Sequence, residues 1–150
     1  MRPSRSLPTA GFSLVEMLIV VVIIGMTTLF AFPRAQRMFE HTNVRGARTT
    51  ILNMINAAKI AARQSNSSSS FVVTGNQVRV DRTMLGVTET VQQQDLNSAY
   101  YVTVTVTGGP GTISFDPRGV VTGGVTTTIV VSKSGFADSV VVDGYGRIRR

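Results

Sequence analysis

Three patterns of hydrophobic and polar positions follow one another along the chain. Residues 17–32 form an almost unbroken apolar run that ends at Pro33. With Phe12 to Glu16 in front of it, the stretch 12–32 has 21 residues, about the length of a helix crossing a bilayer core. After Pro33 the chain becomes amphipathic. Val44, Ala47, Ile51, Ile55, Ala58 and Ala62 recur at steps of three and four, the spacing of one helix face. Met54 and Ile60 are expected to broaden that face. Between 34 and 43 the stripe thins to Ala35, Met38 and Phe39. The predicted helix runs from 12 to about 64, with Pro33 bending or locally opening it because proline lacks an N–H. Its first half is apolar all round and must find partners outside its own domain.

The period then shortens. Ser65-Asn66-Ser67-Ser68-Ser69-Ser70 reads as a polar, flexible break. Residues 71–74 and 77–80 flank Gly75-Asn76, the signature of a two-residue hairpin turn of type II′. Val102, Val104 and Val106 alternate with Thr103, Thr105 and Thr107, which predicts a strand over 100–107, ended by Gly108-Gly109-Pro110-Gly111. Further strands are predicted over 112–115, 126–132, 139–142 and 147–148. No internal repeat is apparent. The class is α+β: a long N-terminal helix, membrane-spanning in its first half and amphipathic in its second, packed on an antiparallel β-sheet head.

Composition narrows the chemistry. The chain of 150 residues has no cysteine and one histidine, so neither a disulfide nor a thiol site is available. Removing Arg2, Arg5 and Glu16 from its 15 basic and 8 acidic residues leaves 13 against 7 beyond the apolar run. A basic domain suits anionic partners, and it equally suits a plain soluble surface. The positive-inside rule does not choose a side, because Arg2 and Arg5 precede the run while Arg34, Arg37, Arg45 and Arg48 follow it. A lone His41 without cysteine makes no metal site. Asp138 and Asp143 are too sparse for a calcium loop. No Gly-x-Ser-x-Gly elbow, acid/base pair or phosphate-cradling loop occurs. The expectation is a protein without catalytic residues, metal or cofactor.

Two sites stand out. Glu16 is the single ionisable group inside the apolar stretch, and a carboxylate in hydrocarbon costs roughly 2.5–3.5 kcal/mol. One reading makes it an assembly residue. The other makes it the distal half of a capping box, Ser13-x-x-Glu16, placed at the membrane surface. The second site is the tail, Arg147, Arg149 and Arg150 with Tyr145. On a terminal strand Arg147 and Arg149 share a face, an arrangement suited to phosphate contact and base stacking. A charged, solvated last strand is the alternative.

The residues before the apolar run carry a resemblance. Met1 to Ala10 is basic, with Arg2, Arg5, Pro3 and Pro8, and Thr9-Ala10-Gly11 sits ahead of the apolar segment. An ordinary secretory signal has its small-residue site after that segment. Gly11, Phe12, Leu14, Glu16, the apolar run and Pro33 together resemble the class III signal of type IV pilins and pseudopilins. The head adds Ile113-Ser114-Phe115-Asp116-Pro117-Arg118-Gly119 and the ending Gly144-Tyr145-Gly146-Arg147-Ile148-Arg149, which look like the GspH/FimT subfamily. Residues 81–99 match it least.

The resemblance implies a division into a leader peptide (1–11), a membrane-spanning assembly helix (12–33), an amphipathic helix (34–64) and a β-rich head (65–150). It implies cleavage after Gly11 by prepilin peptidase, methylation of Phe12, an assembly role for Glu16 and a helix kink at Pro33. The implied partners are other pilins or pseudopilins, the peptidase and the inner-membrane assembly platform. The implied location is the bacterial inner membrane, with the head outside the cytoplasm, and then the fibre. Some FimT-like minor pilins bind DNA for natural transformation through Gly-Arg-x-Arg, which Gly146-Arg147-Ile148-Arg149 matches. DNA is therefore an implied partner of Arg147, Arg149 and Arg150. A type II secretion pseudopilin of the GspH type, without DNA binding, is the alternative.

Overall fold

The computed structural model describes residues 13–149. The leader, Gly11, Phe12 and Arg150 lie outside the described residues. The chain divides into two compact units between Met38 and Phe39.

The first unit is helical. Helix α1 spans Leu14–Ser65 and begins where Met17 N–H donates to the Ser13 carbonyl at 3.1 Å. From Leu14 to Phe32 its large apolar side chains are exposed. Its hydroxyls return to the backbone. Thr27 Oγ1 donates to the carbonyls of Ile23 and Ile24, and Thr28 Oγ1 to that of Ile24 at 2.7 Å. A helix that satisfies its polar groups internally has no need of water. Among the described residues α1 alone is long and apolar enough to cross a membrane, with a mean hydropathy of 2.5 over its most apolar window. Pro33 lies inside α1, and the helix continues through it.

In the second unit the rest of α1 carries the amphipathic stripe. Val44, Ala47, Ile51, Ile55, Ala58 and Ala62 are all buried, as the period predicted, and Met54 joins them. Ile60 does not; it is 52% exposed, because it lies off the stripe that the sheets cover. The helix stops at Asn66, which takes a left-handed φ of 45°, while Ser67 N–H reaches back to the Ala62 carbonyl at 3.2 Å. That is a Schellman-type ending with asparagine in the place usual for glycine.

The head holds two antiparallel sheets. Strands β1 (Ser68–Thr74), β2 (Gln77–Met84), β3 (Val87–Asp95), β5 (Thr112–Phe115) and β6 (Val121–Thr122) form one, ordered β3-β2-β1-β5-β6. Strands β4 (Thr103–Gly108), β7 (Thr127–Lys133), β8 (Phe136–Val142) and β9 (Ile148–Arg149) form the other, ordered β4-β7-β8-β9. One apolar core joins α1 to both. Phe71, Val80, Ile113 and Phe115 enter it from the first sheet and Val104, Ile129, Val131 and Val140 from the second. Each such side chain contributes about 1.5–3 kcal/mol by leaving water.

The Gly75-Asn76 hairpin forms as expected, with Gly75 at φ 59°. Three expectations are corrected. The serine run is not a loose break, since 68–70 belong to β1 and buried Ser69 donates Oγ to the Ala58 carbonyl at 2.6 Å. The strand expected over 100–107 starts only at Thr103, because Asp95 caps a short helix α2 (Leu96–Tyr100) by accepting from the Asn97 and Ser98 N–H groups. Tyr100 then lies over α1, where a Cβ on Gly46 would come within 2.9 Å of its ring. Third, Arg147 is not in the last strand, which is Ile148–Arg149.

Candidate functional site

The C-terminal arginines are set by a turn that β8 runs into. Asp143 closes it with its own backbone, its N–H donating to the Arg147 carbonyl at 2.9 Å and its carbonyl accepting from Gly146 at 2.8 Å. The Asp143 side chain binds the loop from inside. Oδ1 accepts from the N–H groups of Tyr145 and Arg147, and Oδ2 accepts from Arg147 Nε at 2.9 Å. Aspartate is suited to this because its short side chain reaches the backbone two residues on. Gly146 sits at φ 78°, where a Cβ would be strained.

The same frame occurs a second time. Asp116 donates its N–H to the Val120 carbonyl at 2.9 Å and accepts from Gly119 at 2.7 Å. Its Oδ1 accepts from the Arg118 and Val120 N–H groups, and Oδ2 accepts from Arg118 Nε at 2.9 Å. Gly119 has φ 77°. Both are hairpin turns of five residues: Phe115 pairs with Val121 across one, and Val142 with Ile148 across the other. The local repeat is Asp-x-x-Gly-x, a spacing present in the sequence.

Two cations of α1 anchor the pair. Arg63 Nε donates to the Arg118 carbonyl at 2.9 Å, and Lys59 Nζ donates to the Gly146 carbonyl. Neither residue stood out in the sequence, because a helical Lys-x-x-x-Arg is ordinary surface spacing. Burial pushes the Lys59 ammonium below its usual pKa, the neighbouring Arg63 pushes the same way, and Asp143 opposes both. The backbone N–H of Arg147, more than any other group, holds the Asp143 carboxyl below the usual range, against a smaller desolvation cost. Val120 N–H does the same for Asp116. Both carboxylates therefore stay ionised wherever the head is folded at ordinary pH.

Arg147 is fixed on two sides. Its guanidinium carbon lies 5.7 Å from the Tyr145 ring centroid, and its Nε is held by Asp143. The side chain remains 69% exposed, while that of Asp143 is only 14% exposed. Arg147, Arg149 and Tyr145 line one cleft of about 440 Å³ together with Thr126, Asp143 and Gly144. The structure thus brings Arg147 and Arg149 together through a turn and a strand instead of through one strand. Asp138 and Asp143 are separated by their partners, Arg48 at 3.5 Å and Arg147 at 2.9 Å. In the first unit Glu16 lies in the first turn of α1. Among the described residues neither hydrogen bond of the Ser13–Glu16 capping box is made.

Residues 8–32 match the family described as the prokaryotic N-terminal methylation motif. The fold matches a crystal structure of the type IV minor pilin FimU of Pseudomonas aeruginosa with a TM-score of 0.62 at 15% identity, covering 75% of this chain and 90% of that one. A second crystal form of FimU gives a TM-score of 0.57 at 14% identity, covering 70% and 90%. The chain carries that N-terminal motif and has a pilin-like fold. No curated protein sequence matches the chain significantly. The pilin-like fold explains the division of α1, whose first part is bare and whose second part forms the wall of a β-rich head.

Proposed function

We propose that this pilin-like chain is a non-enzymatic minor subunit of a type IV pilus, built into the fibre through α1 and binding DNA through its C-terminal arginines. The observation that carries the assembly reading is the coincidence of the methylation motif with an apolar helix whose side chains are exposed from Leu14 to Phe32. Such a surface needs hydrocarbon first and neighbouring helices afterwards. In this reading prepilin peptidase cuts after Gly11 and Phe12 is methylated. The helix is held in the inner membrane with the head on the periplasmic side. An assembly platform then moves it into a bundle of other pilins, where Pro33 supplies a kink.

Mass spectrometry of the exported protein tests processing. The expected mature chain lacks residues 1–11 and carries one added methyl group on Phe12. An exported chain that keeps its leader overturns the reading.

The DNA part is supported by the shared cleft of Arg147, Arg149 and Tyr145, with Arg150 as the residue after them. A few phosphate contacts give micromolar or weaker affinity without sequence preference, and a fibre presenting several copies raises avidity. Binding of labelled duplex to the full chain in uncharged detergent is expected to weaken with salt. Arg147→Gln/Arg149→Gln should lower the log–log salt slope by about 1.8, two contacts at 0.9 each. Unchanged binding would favour the second reading, a type II secretion pseudopilin. The pairing of Arg147 with Asp143, which offsets one of the cleft's charges, is the observation on that side.

A further inference from the structure

The two aspartate turns are one device used twice, and the reading above uses a single copy. In the 116–120 turn Arg118 is 85% exposed, while Asp116, which holds its Nε at 2.9 Å, is 18% exposed. The turn does not depend on that arginine. Asp116 already accepts from two backbone N–H groups, and an ion pair this exposed contributes about 0–1 kcal/mol. The two turns also abut: a Cβ on Gly146 would lie 3.0 Å from Val121 Cγ2, at the residue where the other turn ends. Beneath them, Lys59 and Arg63 are one helical turn apart, about 6 Å along the axis, and each holds one turn by a carbonyl. The carboxylates sit inside and the guanidiniums outside. The result is two abutting turns, each with its acidic partner turned inward and its arginine exposed.

We propose that Arg118 extends the Arg147–Arg149 cleft into one strip that grips successive phosphates of a nucleic-acid strand, an inference that rests on the DNA reading given above. A guanidinium pinned through Nε keeps its terminal nitrogens for a phosphate oxygen pair, and little rotamer freedom is left to lose on binding. Lys59 and Arg63 each give one donor to a turn carbonyl. They act on the strand through their field and by holding both arginine turns in place.

The test is titration of labelled duplex DNA with the full chain in uncharged detergent micelles at several salt concentrations. Arg118→Gln is expected to lower affinity about three- to tenfold and the salt slope by about 0.9, with circular dichroism unchanged because Asp116 keeps its backbone bonds. Arg79→Gln is the matched control. It also removes one charge and one aspartate-paired arginine, here on Asp81 at 2.9 Å, but from β2, which β1 separates from β5. The control should leave the slope unchanged. Equal losses in the two variants overturn the strip, since net charge would then account for both. Weakening by Arg147→Gln/Arg149→Gln with wild-type behaviour of Arg118→Gln overturns the strip and leaves the DNA reading standing. No weakening in any variant overturns both. An Arg118-dependent response to anionic lipid added to the micelles, with DNA binding unchanged, also overturns it.

Discussion

Glu16→Ala is expected to leave the protein in the membrane and keep it out of the fibre. Glu16 lies in the first turn of α1, within an apolar surface exposed from Leu14 to Phe32. Once neighbouring helices close over that surface, an unpaired carboxylate there costs about 2.5–3.5 kcal/mol. The charge is tolerated if it meets an opposite charge in the same environment, and under the proposed processing the amino terminus of Phe12 on a neighbouring subunit is the candidate. Removing one partner of a buried pair leaves the other uncompensated, which costs about 3–5 kcal/mol. Alanine therefore eases membrane insertion and blocks docking. Glu16→Gln, which keeps the shape and loses the charge, should fail in the same way.

The competing account of Glu16 makes a different forecast. A helix cap is a local device, and its loss costs about 1 kcal/mol at the start of α1 with assembly almost intact. Shearing fibres from cells that express each variant, and comparing fibre and membrane fractions by immunoblot, separates the two. Normal amounts of Glu16→Ala in the fibre would reduce Glu16 to a cap. The Ser13 carbonyl accepts from Met17 N–H, as the residue at a helix start does under either account, so the fibre fraction decides between them.

The legible parts of this fold are those in which a single local period decides the structure. The stripe from Val44 to Ala62 is readable because a helix on a sheet buries every third or fourth residue. The β1–β2 hairpin is readable because Gly75 supplies the positive φ its turn requires. Strand β3 is exposed along most of its length, so no alternation marks it. Ser68 to Ser70 look like a linker until Ser69 finds the Ala58 carbonyl, a contact across 11 residues. Tyr100 looks like the start of a strand until its hydroxyl meets Thr50 at 2.9 Å. These are tertiary decisions, and they override weak local preference.

The candidate site was legible in its residues and not in its frame. Gly146-Arg147-Ile148-Arg149 was visible as a cluster of charge. The turn that presents Arg147 was not, because the arginine stands second after the aspartate in one copy and fourth in the other. The shared Asp-x-x-Gly spacing carries the geometry, while the arginine position merely rides on it.

Phe115→Ala is expected to destabilise the head by about 3–5 kcal/mol, the range for deleting a fully enclosed aromatic side chain. Phe115 is entirely buried at the end of β5, pairs with Ser69 and Val121 on its two flanks, and lies 5.9 Å from the Lys59 ammonium. Its loss opens a cavity directly beside the first aspartate turn. A domain of this size is stable by about 5–15 kcal/mol, so the variant sits near or past the edge of folding. Tyr145→Ala supplies the contrast. Tyr145 is 78% exposed, and substitution at such a position changes stability by about 0.5 kcal/mol or less. Urea unfolding of the full chain in uncharged detergent, followed by near-ultraviolet circular dichroism, reads both. A small shift of the midpoint for Phe115→Ala would mean that the two sheets and α1 close around the gap, and that the core is less tightly interlocked than its burial implies. A large shift for Tyr145→Ala would mean that its ring braces the Arg147 turn, and then part of any DNA-binding defect in that turn would have to be counted as lost structure.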